Sequence, residues 1–224
     1  MTTTENITGT RRRQVTLGPV FAEFAKHPSP WMMATILFGS LAARVVVGDW
    51  QVSDLWAPLV FVALFPLLEW VIHVFVLHWR PRRIGRITLD TLLARKHREH
   101  HADPRDVPLV FIPWQTMVVL VVVTPVLPLL LFPRVGQALT FVLTMGLAGM
   151  VYEWTHFWIH SDYKPRTRVF KAVWKHHRLH HFKNENYWLT VTTANTADRL
   201  LGTNPDPATV PSSPTAKNLH GVSS

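Results

Sequence analysis

Residues 55–78 read LWAPLVFVALFPLLEWVIHVFVLH, an almost uninterrupted apolar stretch that contains two histidines near its end. About 20 mostly apolar residues are enough for a helix to cross a bilayer. This stretch therefore predicts a membrane-spanning helix with histidines at its C-terminal end. Three further apolar blocks predict spans of the same kind, at residues 31–47, 107–132 and 135–160.

The first and third blocks are less regular than the other two. Arg44 interrupts the first block near its end, where we expect the side chain to extend to the polar interface. The third block contains prolines at positions 108, 113, 125 and 128. Because proline removes a helical hydrogen bond, these positions predict a kinked or partly re-entrant segment.

Positive charge is unevenly distributed around the apolar blocks. The 224-residue chain carries 23 Lys and Arg and a formal net charge of +9. All of these cations except Arg44 and Arg134 lie in residues 1–30, 79–106 or 161–224. Since positively charged loops stay in the cytoplasm, we expect a multi-pass membrane protein with both termini and the active site cytoplasmic. The charge would also suit nucleic acid, but the apolar blocks favour a membrane and no nucleic-acid partner.

The sequence thus predicts an all-α fold, a four-span helical integral membrane protein with a cytoplasmic histidine-rich helical cap. We expect a cytoplasmic N-terminal tail over residues 1–30, a membrane-embedded domain over residues 31–203 and a disordered C-terminal tail over residues 204–224. The last segment reads NPDPATVPSSPTAKNLHGVSS, and its content of Pro, Ser and Thr is typical of disorder.

Histidines are concentrated on the side predicted to be cytoplasmic. Ten of the 13 fall in four clusters, two at the ends of the second and fourth spans and two in the loops that follow. The spacings are H-x4-H, H-x2-H-H, H-x3-H and H-x2-H-H, and residues three and four apart share a helix face. The ten are His73, His78, His97, His100, His101, His156, His160, His177, His180 and His181.

This concentration of imidazoles predicts a metal centre. The chain has no cysteine, so any metal must be bound by nitrogen and oxygen. A first-row ion takes about four to six ligands, and ten histidines therefore predict two ions. Imidazole binds iron, zinc, copper and nickel, which leaves the metal open. We expect His27 and His220 in solvent, and His176 either beside a ligand or at the surface.

Two carboxylates lie close to the clusters at the ends of the spans. Glu69 is about one turn before His73, and Glu153 is about one turn before His156. An ionisable group at the end of a span indicates a functional role. We expect each carboxylate to accept a hydrogen bond from a ligand imidazole and so to fix its tautomer. Direct metal binding, or pairing with an arginine at the interface, is the alternative.

The four histidine clusters resemble the histidine boxes, or short histidine motifs, of the fatty acid hydroxylase superfamily. This superfamily includes sterol desaturases, fatty acid 2-hydroxylases and carotenoid hydroxylases. The stretches HHRLHHFKNENYW (176–188), ADRLLGT (197–203) and HHADPRDVPLVFIPW (100–114) are similar to segments of its members. The resemblance covers about residues 55–203. It implies a dinuclear centre of two iron ions at the ten histidines, with zinc able to replace iron in isolated protein.

The resemblance also implies a function, the hydroxylation of a lipid C–H bond with O2 and two electrons. We expect a fatty acyl or sterol-like substrate and an external donor such as ferredoxin or cytochrome b5 with its reductase. Asn186, Tyr187 and Trp188 follow the last box and are expected either to line the path of the lipid tail or to pack plainly at the interface. Val74 stands where many members have arginine, and Trp188 and Thr190 stand where small residues are common. These departures would reshape the lipid pocket.

Other chemistries could use similar residues. Members of the superfamily also desaturate lipids, so an alkene product stays open. A zinc-dependent membrane hydrolase would need an open zinc position and a general base, for which Glu69 or Glu153 could serve. A haem cytochrome would need isolated histidine pairs facing each other across spans, and a non-catalytic metal-binding protein would consume no reductant.

Overall fold

A computed structural model describes residues 15–221, most of which are helical. Four of its helical segments are long and apolar enough to cross a bilayer, which confirms the predicted number of spans. A short helix, α1 (Leu17–Phe24), precedes them. The four segments are Pro28–Val47, Val52–Leu77, Val107–Leu131 and Val135–His160.

The four spans differ in the number and type of helical segments that form them. The first is a single helix, α2 (Pro28–Val47), and the second joins a 3-10 turn (Val52–Leu55), α3 (Trp56–Ile72) and a π-helical turn (His73–Leu77). The third is broken as its prolines predict, into α5 (Val107–Val110) and α6 (Trp114–Leu131). The fourth is the continuous helix α7 (Val135–His160).

The spans pack around α7. Helix α2 makes its most extensive contact with α7, and α6 packs against both of them. Gly146 allows the close approach of α2, because a Cβ atom there would lie 3.0 Å from the backbone of Leu37. Large apolar side chains on the outer faces of α3 and α6 are exposed, including Val62 at 58% and Leu130 at 76%. Those faces suit contact with lipid tails.

A charged network closes the end of the bundle that lies away from the histidines. Arg44 is fully buried, and its guanidinium pairs with Asp54 at 2.6 Å and lies 3.7 Å above the ring of Trp50. Asp54 also pairs with Arg134 at 2.7 Å. Arg44 thus extends to the connection that follows α2, where the Asp49 carbonyl and the Asp54 carboxylate accept its N–H groups.

The histidine-bearing end carries a cap built from several short elements. Its helices are α4 (Leu92–Ala102), α8 (Arg168–Phe182) and α9 (Thr196–Leu200). Thr91 and Thr167 cap the N-termini of α4 and α8 by accepting the N–H groups of Ala94 and Phe170. An antiparallel hairpin of β1 (Arg82–Ile84) and β2 (Ile87–Leu89) is an addition to the predicted all-α fold. Its turn contains Gly85 at φ +60°, a conformation that glycine adopts readily.

The segment after the cap departs from the predicted disorder. Residues 204–221 lie against the cap, with Val210, Ala216 and Leu219 buried. Composition alone is a poor guide here, because three spaced apolar side chains are enough to fix a segment that has a surface to pack on. The remainder of the predicted tail, residues 222–224, and residues 1–14 of the N-terminal tail lie outside the described part of the chain.

Candidate metal centre

The ten predicted histidines converge at the junction between the spans and the cap. They form two groups of five, and within each group the available ligand atoms all lie within 4.8 Å of one another. The first histidine group consists of His73, His78, His97, His101 and His180. The second histidine group consists of His100, His156, His160, His177 and His181.

Helical spacing explains three of the pairs within these groups. His156 and His160 are four residues apart on α7, and four residues advance an α-helix by slightly more than one turn. The same spacing joins His97 to His101 on α4 and His177 to His181 on α8. Each pair therefore presents two imidazoles to one side of its helix.

The fourth pair, His73 and His78, needs a different backbone. Five residues of α-helix rotate by about 500°, which would leave the two side chains about 140° apart. The structure instead forms a π-helical turn at His73–Leu77, closed by a 2.9 Å hydrogen bond from the His78 N–H to the His73 carbonyl. This bond sets one residue above the other, so the rings of His73 and His78 lie 4.8 Å apart between centroids.

In each of the cap helices α4 and α8, one of the three predicted ligand histidines belongs to a different group from the other two. On α4, His97 and His101 belong to the first group while His100 belongs to the second. On α8, His177 and His181 belong to the second group while His180 belongs to the first. The three predicted ligand histidines of each of these helices are therefore divided between the two groups. Helices α4 and α8 instead lie between the two groups and contribute to both.

The distances between imidazole nitrogens fit metal ligands. Two nitrogens bound to one first-row ion at about 2.0–2.1 Å lie about 2.9–3.4 Å apart, depending on the angle between them. Three Nε2 pairs of the first group are 3.1, 3.2 and 3.1 Å apart, namely His73–His97, His97–His101 and His101–His180. Three pairs of the second group are 3.2, 3.1 and 3.0 Å apart, namely His100–His160, His160–His177 and His177–His181.

Burial keeps the cap histidines neutral. Desolvation lowers the pKa of His101 to about 3, although its hydrogen bond to the Ala216 carbonyl opposes the shift. The pKa values of His97 and His181 fall well below their ordinary value for the same reason, and neighbouring imidazoles lower them further. A neutral imidazole has a free nitrogen lone pair, which is the state that binds a metal.

Backbone carbonyls orient several of these rings. The Nδ1 atoms of His101, His156 and His180 lie 2.9, 2.8 and 3.0 Å from the carbonyl oxygens of Ala216, Val110 and Tyr187. His73 Nδ1 contacts the Leu189 carbonyl in the same way. A carbonyl accepts only, so Nδ1 must carry the proton and Nε2 is free to bind a metal.

The two carboxylates have other partners than those predicted. Glu69 accepts the backbone N–H of Thr192 at 3.2 Å. Glu153 accepts the Ser29 hydroxyl at 2.8 Å and the Ile112 N–H at 3.1 Å. Among the described residues, neither carboxylate forms a hydrogen bond to a ligand imidazole. Backbone carbonyls, and not the carboxylates, orient the ligand imidazoles. The carboxylates bind the backbone close to those carbonyls, at Thr192 and Ile112.

Sequence reasoning missed Asp198, a buried carboxylate beside the centre. It accepts hydrogen bonds from His176 at 3.0 Å and from the backbone N–H groups of Leu189 and Thr190 at 2.8 and 2.9 Å. Burial raises the pKa of Asp198. The hydrogen bonds from His176, Thr190 and Leu189 lower this pKa by more than burial raises it, so the net shift is downward. His176 is thus buried beside a ligand, one of the two positions expected for it.

The remaining predicted residues lie around the centre. His220 is not in solvent, because its Nε2 contacts the His78 carbonyl at 2.9 Å, and His27 stacks on Phe111. Asn186 is exposed, while Trp188 is buried at φ +58°. Trp188 lines a cavity of about 290 Å³ that also contacts His176. A second cavity of about 290 Å³, between α1, α5 and the end of α7, reaches His160.

Comparison with known proteins agrees with this arrangement. Residues 58–203 match the family model for fatty acid hydroxylases. A dihydroceramide fatty acyl 2-hydroxylase of Arabidopsis thaliana, FAH2, is 31% identical over 145 residues, which are 64% of this chain and 58% of the relative. The fatty acid 2-hydroxylases of Macaca fascicularis and Homo sapiens are 32% and 30% identical, each over 58% of this chain and 34% of the relative. The chain thus spans less than two thirds of these relatives. No solved structure matches the chain.

Proposed function

Because the chain belongs to the fatty acid hydroxylase family, we propose that it is a membrane-bound dinuclear-iron oxygenase that hydroxylates a C–H bond of a fatty acyl chain. The observation that carries the proposal is the pair of five-histidine groups at the end of four apolar helices. The names of the relatives, fatty acid and fatty acyl 2-hydroxylases, support an acyl substrate oxidised next to its carbonyl carbon.

Each histidine group holds one iron ion in this proposal. An all-nitrogen set of five neutral ligands suits a first-row metal and leaves a position free for another ligand. When bound, the two irons supply, with O2 and two electrons, the oxidising power that an unactivated C–H bond requires. The protein contributes ligands fixed by backbone carbonyls and a buried environment that excludes water.

The position of the centre suits a substrate that stays in the bilayer. His73 and His156 lie at the ends of two spans, while His97 and His177 belong to the cap. An acyl tail can thus approach from the lipid side while a soluble electron donor, ferredoxin or cytochrome b5 with its reductase, approaches the cap. The distribution of Lys and Arg supports a cytoplasmic position for the cap and both termini.

The stretch Asn186–Trp188 follows α8 and is proposed to border the lipid path. The Tyr187 carbonyl touches the first histidine group through His180, and buried Trp188 adjoins it. Trp188→Gly should therefore change which acyl chains are accepted more than it changes metal content. Competition between substrates of different chain length measures that preference directly.

The decisive experiment supplies purified protein with ferrous iron, a reductase–ferredoxin pair and candidate acyl lipids under isotopically labelled O2. Hydroxylated product that carries the label from O2 supports the proposal. An alkene product without incorporated oxygen would instead identify a desaturase working at the same site. Turnover that continues under argon, with an unlabelled product whose new oxygen comes from water, would identify a zinc-dependent hydrolase.

A further inference from the structure

Residues 204–221, here called the C-terminal segment, follow the part of the chain that matches the family. The segment returns to the first histidine group. The Ala216 carbonyl accepts the Nδ1–H of His101 at 2.9 Å. His220 Nε2 lies 2.9 Å from the carbonyl oxygen of His78 and donates to it. Two of the five members of the first group are thus contacted by a segment outside the matched region.

The contact with His101 is a buried one. His101 is fully buried, while Ala216 is 5% and Leu219 is 1% exposed. A hydrogen bond shielded from water holds its geometry more tightly than an exposed one. The imidazole of His101 is therefore fixed with its Nε2 directed at His97 and His180, 3.2 and 3.1 Å away.

The C-terminal segment is anchored to the turn that follows α8. Glu185 accepts the hydroxyls of Ser213 at 3.0 Å and Thr215 at 2.5 Å. The Ser213 N–H donates to the Lys183 carbonyl at 2.7 Å. Because α8 also carries His180, the segment connects the element that provides His180 to those that provide His101 and His78.

The second histidine group has fewer supports of this kind: the Val110 carbonyl lies 2.8 Å from His156 Nδ1, but three other members lack such a partner within residues 15–221. The Nδ1 atoms of His100, His177 and His181 are buried and lack a hydrogen-bond partner within residues 15–221. Hydrogen bonds from the C-terminal segment reach none of the five members of this group in that same range. The two groups have the same number of imidazoles but differ in how firmly those imidazoles are oriented.

We propose that the C-terminal segment is a positioning element that strengthens metal binding by the first histidine group and not by the second. This inference rests on the proposed dinuclear centre. Loss of a hydrogen-bonding partner behind a ligand typically weakens metal affinity about 10- to 100-fold. A chain without the segment should therefore release one of its two ions faster, while release of the other is unchanged.

The experiment measures metal release from purified protein to a chromogenic chelator. Truncation after residue 209 removes Val210, Ala216 and Leu219, and removal of residues 222–224 is the control. To identify the group, each truncation is combined with His156→Ala, which impairs the second group, or with His78→Ala, which impairs the first. Truncation after residue 209 should accelerate release by about 10-fold or more in the His156→Ala chain. It should leave release from the His78→Ala chain unchanged.

A pair of point substitutions tests the same idea without truncation. Ser213→Ala with Thr215→Val removes the two hydroxyls that bind Glu185, while Thr209→Val makes a matched change at an exposed position. The double variant should accelerate release from the first group only, and Thr209→Val should have no effect. Circular dichroism verifies that helical content is unchanged.

Two results would overturn the inference. If release from the first group is unaffected by both the truncation and the double variant, the segment does not position His101. If both groups release metal faster by the same factor, the segment stabilises the fold in general. A parent chain that holds fewer than two ions would overturn the dinuclear centre itself, which distinguishes that failure from the other two.

Discussion

At the scale of single residues, His100 and His180 determine how the two histidine groups are related. His100 belongs to the second group although its neighbour His101 belongs to the first, and His180 belongs to the first group although its neighbour His181 belongs to the second. The sequence spacing predicted that all ten histidines converge, and the structure confirms this. It could not predict the division into groups, because the direction of His100 or His180 depends on how α4 and α8 pack and not on either helix alone.

Because His100 and His180 belong to different groups, the metal content of double variants can be predicted. His180→Ala removes a member of the first group and His100→Ala one of the second, so each should reduce metal content from about two ions per chain to about one. Combining them should remove both ions. Combining His180→Ala with His78→Ala should remove only one, since both residues belong to the first group. Elemental analysis after a chelator wash measures the outcome.

His27→Ala is the control for that series, because His27 stacks on Phe111 and belongs to neither group. Equal metal loss in the two double variants would contradict the assignment of His100 to the second group.

Asp198 is the residue whose replacement should most affect the loop beside the centre. Its carboxylate accepts the N–H groups of Leu189 and Thr190, and the Leu189 carbonyl orients His73. Asp198→Ala leaves these buried donors unpaired, and breaking a buried charged network costs about 3–5 kcal/mol. The melting temperature in detergent should fall markedly, while Asp162→Ala at an exposed position should leave it nearly unchanged. A fall of the same size in both variants would argue against the network.

At the scale of elements, the π-helical turn His73–Leu77 is the feature that no local pattern indicated. The residues between its histidines are ordinary apolar ones that suit an α-helix in a membrane. Only the requirement that His73 and His78 meet His97 and His180 makes the wider turn necessary. The i, i+4 pairs on α4, α7 and α8 were predictable, since regular α-helix brings them together.

Deleting Val76 tests this account of the turn. The deletion shortens the spacing to four residues, which in an α-helix places two side chains only about 40° apart. The shortened chain should therefore form a regular α-helical turn and keep metal in the first group. His78→Ala, in contrast, should lose it. Metal analysis compares the two variants, and equal loss in both would show that the π-helical turn itself is required.

The C-terminal segment gives a second lesson at this scale. Its composition is typical of disorder, yet Val210, Ala216 and Leu219 are buried against the cap. The segment's hydrogen bonds go to His101 of α4 and to Glu185 in the turn after α8, both distant in sequence. The order of this segment depends on those surfaces, and composition carries no information about them.

At the scale of the whole molecule, the two ends of the bundle contain different kinds of buried polar group. One end is closed by an ion-pair network in which the two positive charges of Arg44 and Arg134 are balanced by Asp54 and Asp49. The other end collects ten imidazoles, and burial lowers the pKa of those in the cap, such as His97 and His101. The apolar blocks and the distribution of Lys and Arg were sufficient to predict four spans. The network around Arg44 was not predictable, because it requires the spans to be packed.

The metal-free protein should lose stability as pH falls from 7 to 5. Burial lowers the folded-state pKa of cap histidines such as His97, His101 and His181 below the unfolded value of about 6.5. Below that pH the unfolded chain binds more protons, so unfolding becomes more favourable. Their contribution is fully present above about pH 6.5 and declines by about 1.4 kcal/mol per pH unit for each histidine that must stay neutral.

Denaturant titration in detergent at pH 7, 6 and 5 measures this dependence. The midpoint should decrease steadily. A midpoint that does not change between pH 7 and 5 would contradict the burial of neutral imidazoles in the folded chain.

The exchange of His100 and His180 also has a consequence for biosynthesis. A ribosome produces His73, His78, His97 and His101 early, but the first histidine group gains its fifth member only when α8 has been translated. The second group likewise waits for His177 and His181. A nascent chain whose early spans are already inserted therefore holds neither set complete. If the two groups bind metal as proposed, tight metal loading is expected to begin only on chains whose synthesis has passed residue 181.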